Sequence, residues 1–366
     1  MKKVILSFVF FAFSFASLAY ADINMKSLAK KKWKRVETAN FVIISDISAK
    51  KVRTTAEQLE RFQAFSAFFL NIKVPEKSVE QKALLYVTDK RATWKSFGLD
   101  KDLVSVFASN ARGETVMFAD VNGFFGGSFR KSNSGRAVLL KALALKLFSD
   151  AGLNDSNYPL WFRQGFAFYL ASYSEPKNSI LLGSVEPYKN RISSLFTRTG
   201  ALASFDTKNL FARKKRPEYI SGSRASWLTR VNRFYMESFL TLHYLYADND
   251  RRSKMVAYLK AIQAGQDQDD AFNSAFELSY TEFNSNIRSY LNGSSMLARS
   301  MDREQVMKLV ELPDEFSSER IDDAQFFKLF AGSILGLSNN SIDNESKQKF
   351  FKDYTVNYLK EAKASL

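Results

Sequence analysis

Two apolar runs at helical period stand close together in the middle of the chain, Ala137 to Phe148 and Leu160 to Tyr173. A polar turn of Gly, Asn, Asp and Ser separates them, and Pro159 opens the second run with a preset backbone angle. They predict a helix, loop, helix core.

Upstream the pattern is mixed. Phe41 to Ser45 is a continuous β-branched and aromatic run and predicts a mostly buried strand. From Lys50 to Asn71, Leu59, Phe62, Phe65 and Phe69 recur on one helical face. Ala83 to Thr88 predicts a second strand and Thr93 to Phe97 a short helix. Val104 to Ala108 and Thr115 to Ala119 predict two strands about a turn at Asn110 to Gly113.

Downstream the pattern is helical: Val231 to Ala247, Lys254 to Ala264, Asp269 to Phe276 and Tyr280 to Leu291. After Asn292 three further helical stretches, Met301 to Leu312, Asp322 to Leu335 and Glu345 to Lys363, suggest a helical appendage over residues 293–366. Strands first and helices afterwards give an α+β class, with a small N-terminal mixed sheet and a mainly helical C-terminal half.

The first 21 residues change the picture of where the chain works. Lys2 and Lys3, an apolar centre from Val4 to Ala19 and the Ala19-Tyr20-Ala21 site describe a secretory signal peptide. The mature protein is expected to begin at Asp22, to be periplasmic or secreted, and to carry no transmembrane segment. The chain has no cysteine, which excludes disulfides, thiol catalysis and lipidation at Cys, so a core rich in its 34 Phe must hold it together.

The net charge is +15, or +13 once Lys2 and Lys3 leave with the leader. Lys30 to Arg35, Lys50-Lys51 and Arg213 to Arg216 are the densest basic clusters, and in an envelope compartment they favour anionic polymers as partners. Nucleic acid is not an expected partner, because the chain carries an export signal and no nucleic-acid motif.

At the paired central runs the sequence resembles the gluzincin zinc metallopeptidases, in particular bacterial peptidase-MA-like proteins. Pro159-Leu160-Trp161-Phe162-Arg163-Gln164-Gly165-Phe166-Ala167-Phe168-Tyr169 follows that family's P-x-W-x-x-E-G-x-A-E-Y segment. Trp33 to Asp46 follows its opening W-x-x-x-E-T-x-N-F-x-I-x-S-D, and Tyr235 to Leu245 its Y-x-x-S-x-x-x-x-H-Y-L. Tyr258 to Phe276 follows its closing Y-L-x-x-I-x-x-G-x-D-x-x-x-A-F-x-x-A-F. The likeness spans Trp33 to Leu291 and implies a gluzincin-like domain over residues 22–292.

The family's first core helix carries HExxH, yet aligning Val138-Leu139-Leu140 with its lead-in puts Lys141, Ala142 and Leu145 at those three positions. Gln164 stands for the third ligand, a Glu, and Phe168 for the later acid. Zinc hydrolysis needs neutral imidazoles at i and i+4, a base between them and a carboxylate from the next helix. A protonated Lys repels a dication, and Ala and Leu offer no lone pair. The resemblance thus implies a degenerate member without metal or cofactor, whose cleft binds a peptide, an envelope polymer or a partner protein. Within it, Thr115, Val116, Met117 and Phe118 would form an edge strand for a peptide and Trp161 would line the cleft.

Other chemistries are weaker. S-x-x-K occurs at Ser27, Ser48, Ser128 and Ser346 without the companion motifs of penicillin-binding enzymes. Asp267, Asp269 and Asp270 read as a helix start rather than a carboxylate pair. The Gly-rich tip at Asn122 to Gly127 lacks the Lys-Ser/Thr of a phosphate loop. His243, the single histidine, reads as structural because it has no second imidazole to work with. A hydrolase with a non-zinc site and a structural envelope protein remain the rival readings.

Overall fold

The computed structural model describes residues 22–73, 78, 81–99, 105–109, 115–121, 135–152, 158–196, 205–215, 224–292, 296–308, 316–337 and 344–364. The expected signal peptide, residues 1–21, and the Gly-rich run Asn122 to Gly127 lie outside them.

After a short helix α1 (Met25–Ala29), strands β1 (Lys34–Glu37) and β2 (Phe41–Ser45) form a hairpin, and α2 (Ala49–Leu70) crosses to β3 (Ala83–Thr88). Helix α3 (Arg91–Ser96) and the β4 (Ser105–Ser109) to β5 (Thr115–Asp120) pair complete the N-terminal part. Strands β2, β3 and β5 run parallel, whereas β4 pairs antiparallel with β5. The α+β class read from the pattern is the class observed.

Strand alternation explains the sheet's two cores, because successive side chains point to opposite faces. Phe41, Ile43, Leu85, Val87 and Met117 join one core, against α2 and the central helix pair α4 (Gly135–Asp150) and α5 (Leu160–Ala171). Val42, Ile44, Leu84, Tyr86, Val116 and Phe118 join a second core on the other face.

What fills that second core comes largely from the far end of the chain. Beyond α5 come β6 (Ser179–Leu182), α6 (Lys189–Phe196), α7 (Thr207–Ala212), the long α8 (Arg224–Tyr246), α9 (Asn249–Gln263), α10 (Gln268–Phe276) and α11 (Tyr280–Asn292). Next are β7 (Arg299–Asp302), α12 (Arg303–Lys308), β8 (Ser317–Arg320), α13 (Asp323–Leu335) and α14 (Asn344–Ala364).

The expected helical appendage is instead part of the fold. Strand β7 pairs with β6, β8 pairs with β1 as the sixth strand of the main sheet, and α13 contributes Phe326, Phe327, Phe330 and Ile334 to the second core. Trp33 stacks on Phe326 at 4.1 Å between centroids and 5° between planes, while its indole N–H donates to Leu28 O. Such a stack contributes about 1 kcal/mol beyond area burial. The polar pattern of β8, Ser-Ser-Glu-Arg, carries no strand signal, and only pairing with β1 makes it one.

The helical half is held by rings. Trp161 stacks on Phe211 at 4.3 Å, and Tyr258, Phe272 and Phe283 extend the cluster from α7 to α11. Asp267 accepts from the backbone N–H of Asp269 and Asp270, so the acidic triplet caps α10 as its sequence suggests. No helix among the described residues is long and apolar enough to cross a membrane.

Candidate functional site

Helices α4 and α5 are bound by a nine-residue link and pack closely. The ammonium of Lys141 lies over the Phe168 ring at 4.3 Å and the Tyr235 ring of α8 at 3.6 Å. Two of the positions that the resemblance marks, 141 and 168, therefore do meet, as a cation on aromatic faces rather than as a ligand and an acid. A partly desolvated contact of this kind is worth about 2 kcal/mol.

If helices α4 and α5 run antiparallel, as their short link suggests, contact of 141 with 168 brings 145 level with 164, since residues four apart share a face on each helix. Leu145 is half-buried and packs against the same core as Ala142, which is buried. Gln164 is 1 % exposed, and neither Oε1 nor Nε2 has a hydrogen-bond partner among the described residues. An amide left so costs about 1–3 kcal/mol relative to one that is paired. Among the described residues no three His, Cys, Asp or Glu side chains are grouped to hold a metal ion. The donor set at these positions, one ammonium, one amide and two aliphatic side chains, does not fit zinc.

Gly165, next to Gln164, explains how α5 reaches this depth. A Cβ there would stand 2.4 Å from the Ser238 carbonyl oxygen and 3.3 Å from Leu242 Cβ, so only glycine lets α5 and α8 touch backbone to backbone.

His243 sits on α8, 2 % exposed. Its Nε2 is 2.8 Å from the Gly183 carbonyl oxygen, which only accepts, so Nε2 carries the proton. Nδ1 then accepts from the Tyr290 hydroxyl at 2.7 Å. Burial pulls the imidazole down to about 4, which keeps it neutral. Gly183 has φ +80°, its N–H donates to Ser172 Oγ, and a Cβ would meet the Tyr169 ring at 2.6 Å. The structural role read for His243 matches these contacts.

Two sequence expectations change. Strand β5 is not an edge: β4 covers it on one side and β3 on the other, and Val116, Met117 and Phe118 are each at most 1 % exposed. Thr115, at the start of β5, is half-buried. The outermost strand on the α4 side is β4, which contacts α4. Trp161 is fully buried under Phe211, so its ring lines the core instead of a cleft.

The basic clusters are also divided. Lys30 and Lys32 are exposed, but Lys34 donates to the Ile47 carbonyl and Arg35 pairs with Glu37 and Glu319. Arg213 lies 5.7 Å over the Phe234 ring, while Lys214 and Lys215 are exposed and Arg216 lies outside the described residues. Tyr235 had no mark in the sequence as a neighbour of position 141, because 94 residues separate them and only the α4, α5 and α8 packing joins them. No protein-family model and no curated protein sequence matches this chain.

Proposed function

We propose that the chain is an exported, catalytically inactive relative of the gluzincin peptidases, and that it acts by binding a peptide, an envelope polymer or a partner protein. The observation that carries this reading is the Lys141 ammonium seated on Phe168 and Tyr235, because a side chain so engaged replaces the metal-centred chemistry with a packing contact. Peptide recognition would use β4, the terminal strand beside α4, since an end strand offers backbone N–H and C=O groups to an extended chain.

The test is a calorimetric zinc titration of the wild type against the triple variant Lys141→His, Leu145→His, Gln164→Glu. The expected outcome is no stoichiometric zinc in the wild type and one zinc per chain in the variant, because on this reading helices α4 and α5 bring the three positions together. Tight zinc in the wild type overturns the inactive reading. A natively folded triple variant without zinc overturns the alignment of the two helices with the peptidase site.

A further inference from the structure

Apart from the end strand β4, one surface of the helical half brings arginines and tyrosines into contact. Arg252, near the start of α9, lies over the Tyr246 ring at 5.9 Å, and Arg299, the first residue of β7, lies over the same ring at 5.8 Å. Arg251 covers Tyr244 at 4.3 Å and reaches Tyr290 at 5.4 Å. Tyr246 in turn meets Tyr169 and Phe69, so the arginines rest on rings that continue into the core.

The way these guanidinium groups are held decides what they offer. Contact with a ring uses the flat face of a guanidinium, and its N–H donors lie in the plane, where a carboxylate can take two at once. Arg299 Nη2 donates to the Tyr246 carbonyl at 2.9 Å, and Arg252 Nη2 to Asn249 Oδ1 at 2.7 Å. One bond each fixes them and leaves further donors in the plane. Among the described residues no carboxylate pairs with Arg252 or Arg299: Asp248 reaches Arg251 at 4.0 Å, and Asp250 pairs with Lys254. Side chains already ordered on rings lose little further freedom when a partner binds.

Apolar side chains stand beside them in solvent. Leu297, two residues before Arg299, is 77 % exposed, and Phe68, next to Phe69 on α2, is 48 % exposed. Neither gains from the fold what it would gain by being covered. Tyrosine and arginine with adjacent apolar groups are the composition that concentrates binding energy where proteins meet.

We propose that Arg251, Arg252 and Arg299, seated on Tyr244, Tyr246 and Tyr290, form a docking surface for an acidic segment of a partner protein. Its carboxylates take the in-plane donors, and its apolar side chains cover Leu297 and Phe68.

The probe is a short fluorescein-labelled peptide of alternating Glu and Leu, titrated with the purified protein and followed by fluorescence anisotropy. Saturable binding is expected, and the same peptide with Gln in place of Glu should bind at least about tenfold more weakly, the loss of charge-assisted hydrogen bonds. Arg252→Gln and Arg299→Gln should each weaken the Glu peptide about tenfold. Arg252→Lys should weaken it nearly as much, because the charge stays and the fork is lost, an effect that general attraction to a basic surface does not produce. Leu297→Ser should also weaken it, whereas Lys352→Gln, an exposed charge on α14, leaves it unchanged. Absence of saturable binding, equal binding of the Glu and Gln peptides, or binding untouched by both Arg→Gln substitutions overturns the surface. Full affinity in Arg252→Lys overturns the role of the fork. Pelleting with phosphatidylglycerol vesicles that both Arg→Gln substitutions abolish, in a protein that ignores the peptide, assigns the arginines to a membrane and overturns the protein partner.

Discussion

Two buried polar groups on neighbouring helices make opposite use of the same interior. On α8, His243 is satisfied on both nitrogens, by Gly183 and by Tyr290, and its surroundings are shaped around it. On α5, Gln164 is buried as deeply, with both amide atoms unpartnered. The first is a structural joint, in which every lone pair and proton has a destination. The second is a polar side chain that folding tolerates at a cost, at a position where the resemblance expects a metal ligand. The difference teaches that burial alone does not distinguish a polar residue that holds the fold together from one that the fold only tolerates; the hydrogen-bond inventory does.

Three measurements sharpen or break that contrast. The largest expected effect belongs to the glycine between the two helices. Gly165→Ala places a methyl 2.4 Å from the Ser238 carbonyl, and backbone on both sides must shift. A loss of about 3 kcal/mol in chemical denaturation is expected, at the upper end of overpacking costs. A loss below about 0.5 kcal/mol shows that α5 and α8 do not meet in this way.

Next is the pH dependence of the satisfied group. Because His243 falls to about 4 in the folded protein from an ordinary 6.5, the unfolded chain takes up a proton first as pH drops. Its contribution is fully present above pH 6.5 and declines as pH falls toward 4, by about 3 kcal/mol in all. His243→Phe should lose about 2 kcal/mol at neutral pH, by stranding the Gly183 carbonyl and the Tyr290 hydroxyl, and should flatten the profile between pH 6.5 and 4. An unchanged slope in that variant would assign the acid sensitivity to other groups.

The smallest effect has the opposite sign. Gln164→Leu removes an unpaired amide and keeps its volume, so the protein should gain about 1 kcal/mol, read as a higher denaturation midpoint at constant m-value. A loss instead would mean that the amide has partners in solution, and the contrast with His243 would disappear.

Much of the fold was legible because local pattern and burial agree. The run Ala83 to Thr88 is apolar at every position and forms a strand covered on both faces, over the residues expected. Helices α2, α4, α5 and α9 to α11 begin and end within a few residues of their apolar periodicity. Part of the candidate site was legible too, since Lys141 and Phe168 do face each other across two helices recognisable from sequence.

What failed had no local signal. Ser317 to Arg320 is polar and exposed at all four positions, and becomes a strand through hydrogen bonds to β1. Met301 to Leu312, read as one helix, begins as β7 because Ser179 to Leu182 offers it a partner. Thr115 to Ala119 was expected at an edge through the family resemblance alone, yet β4 lies outside it, and which arm of the hairpin ends outermost is a property of sheet order.

The sequence by itself determined the class, the helix pair at the centre, the capped acidic turn of α10 and the absence of histidines at the expected ligand positions, since each depends on residue type at short spacing. Tertiary structure alone decided that Tyr235 shares Lys141 with Phe168, that α13 and α14 close the second face of the sheet, and that Arg61 and Arg303 share the Glu175 carboxylate. These join residues separated by tens to hundreds of positions, and no local propensity encodes which distant partners the packing of helices and the order of strands will bring together.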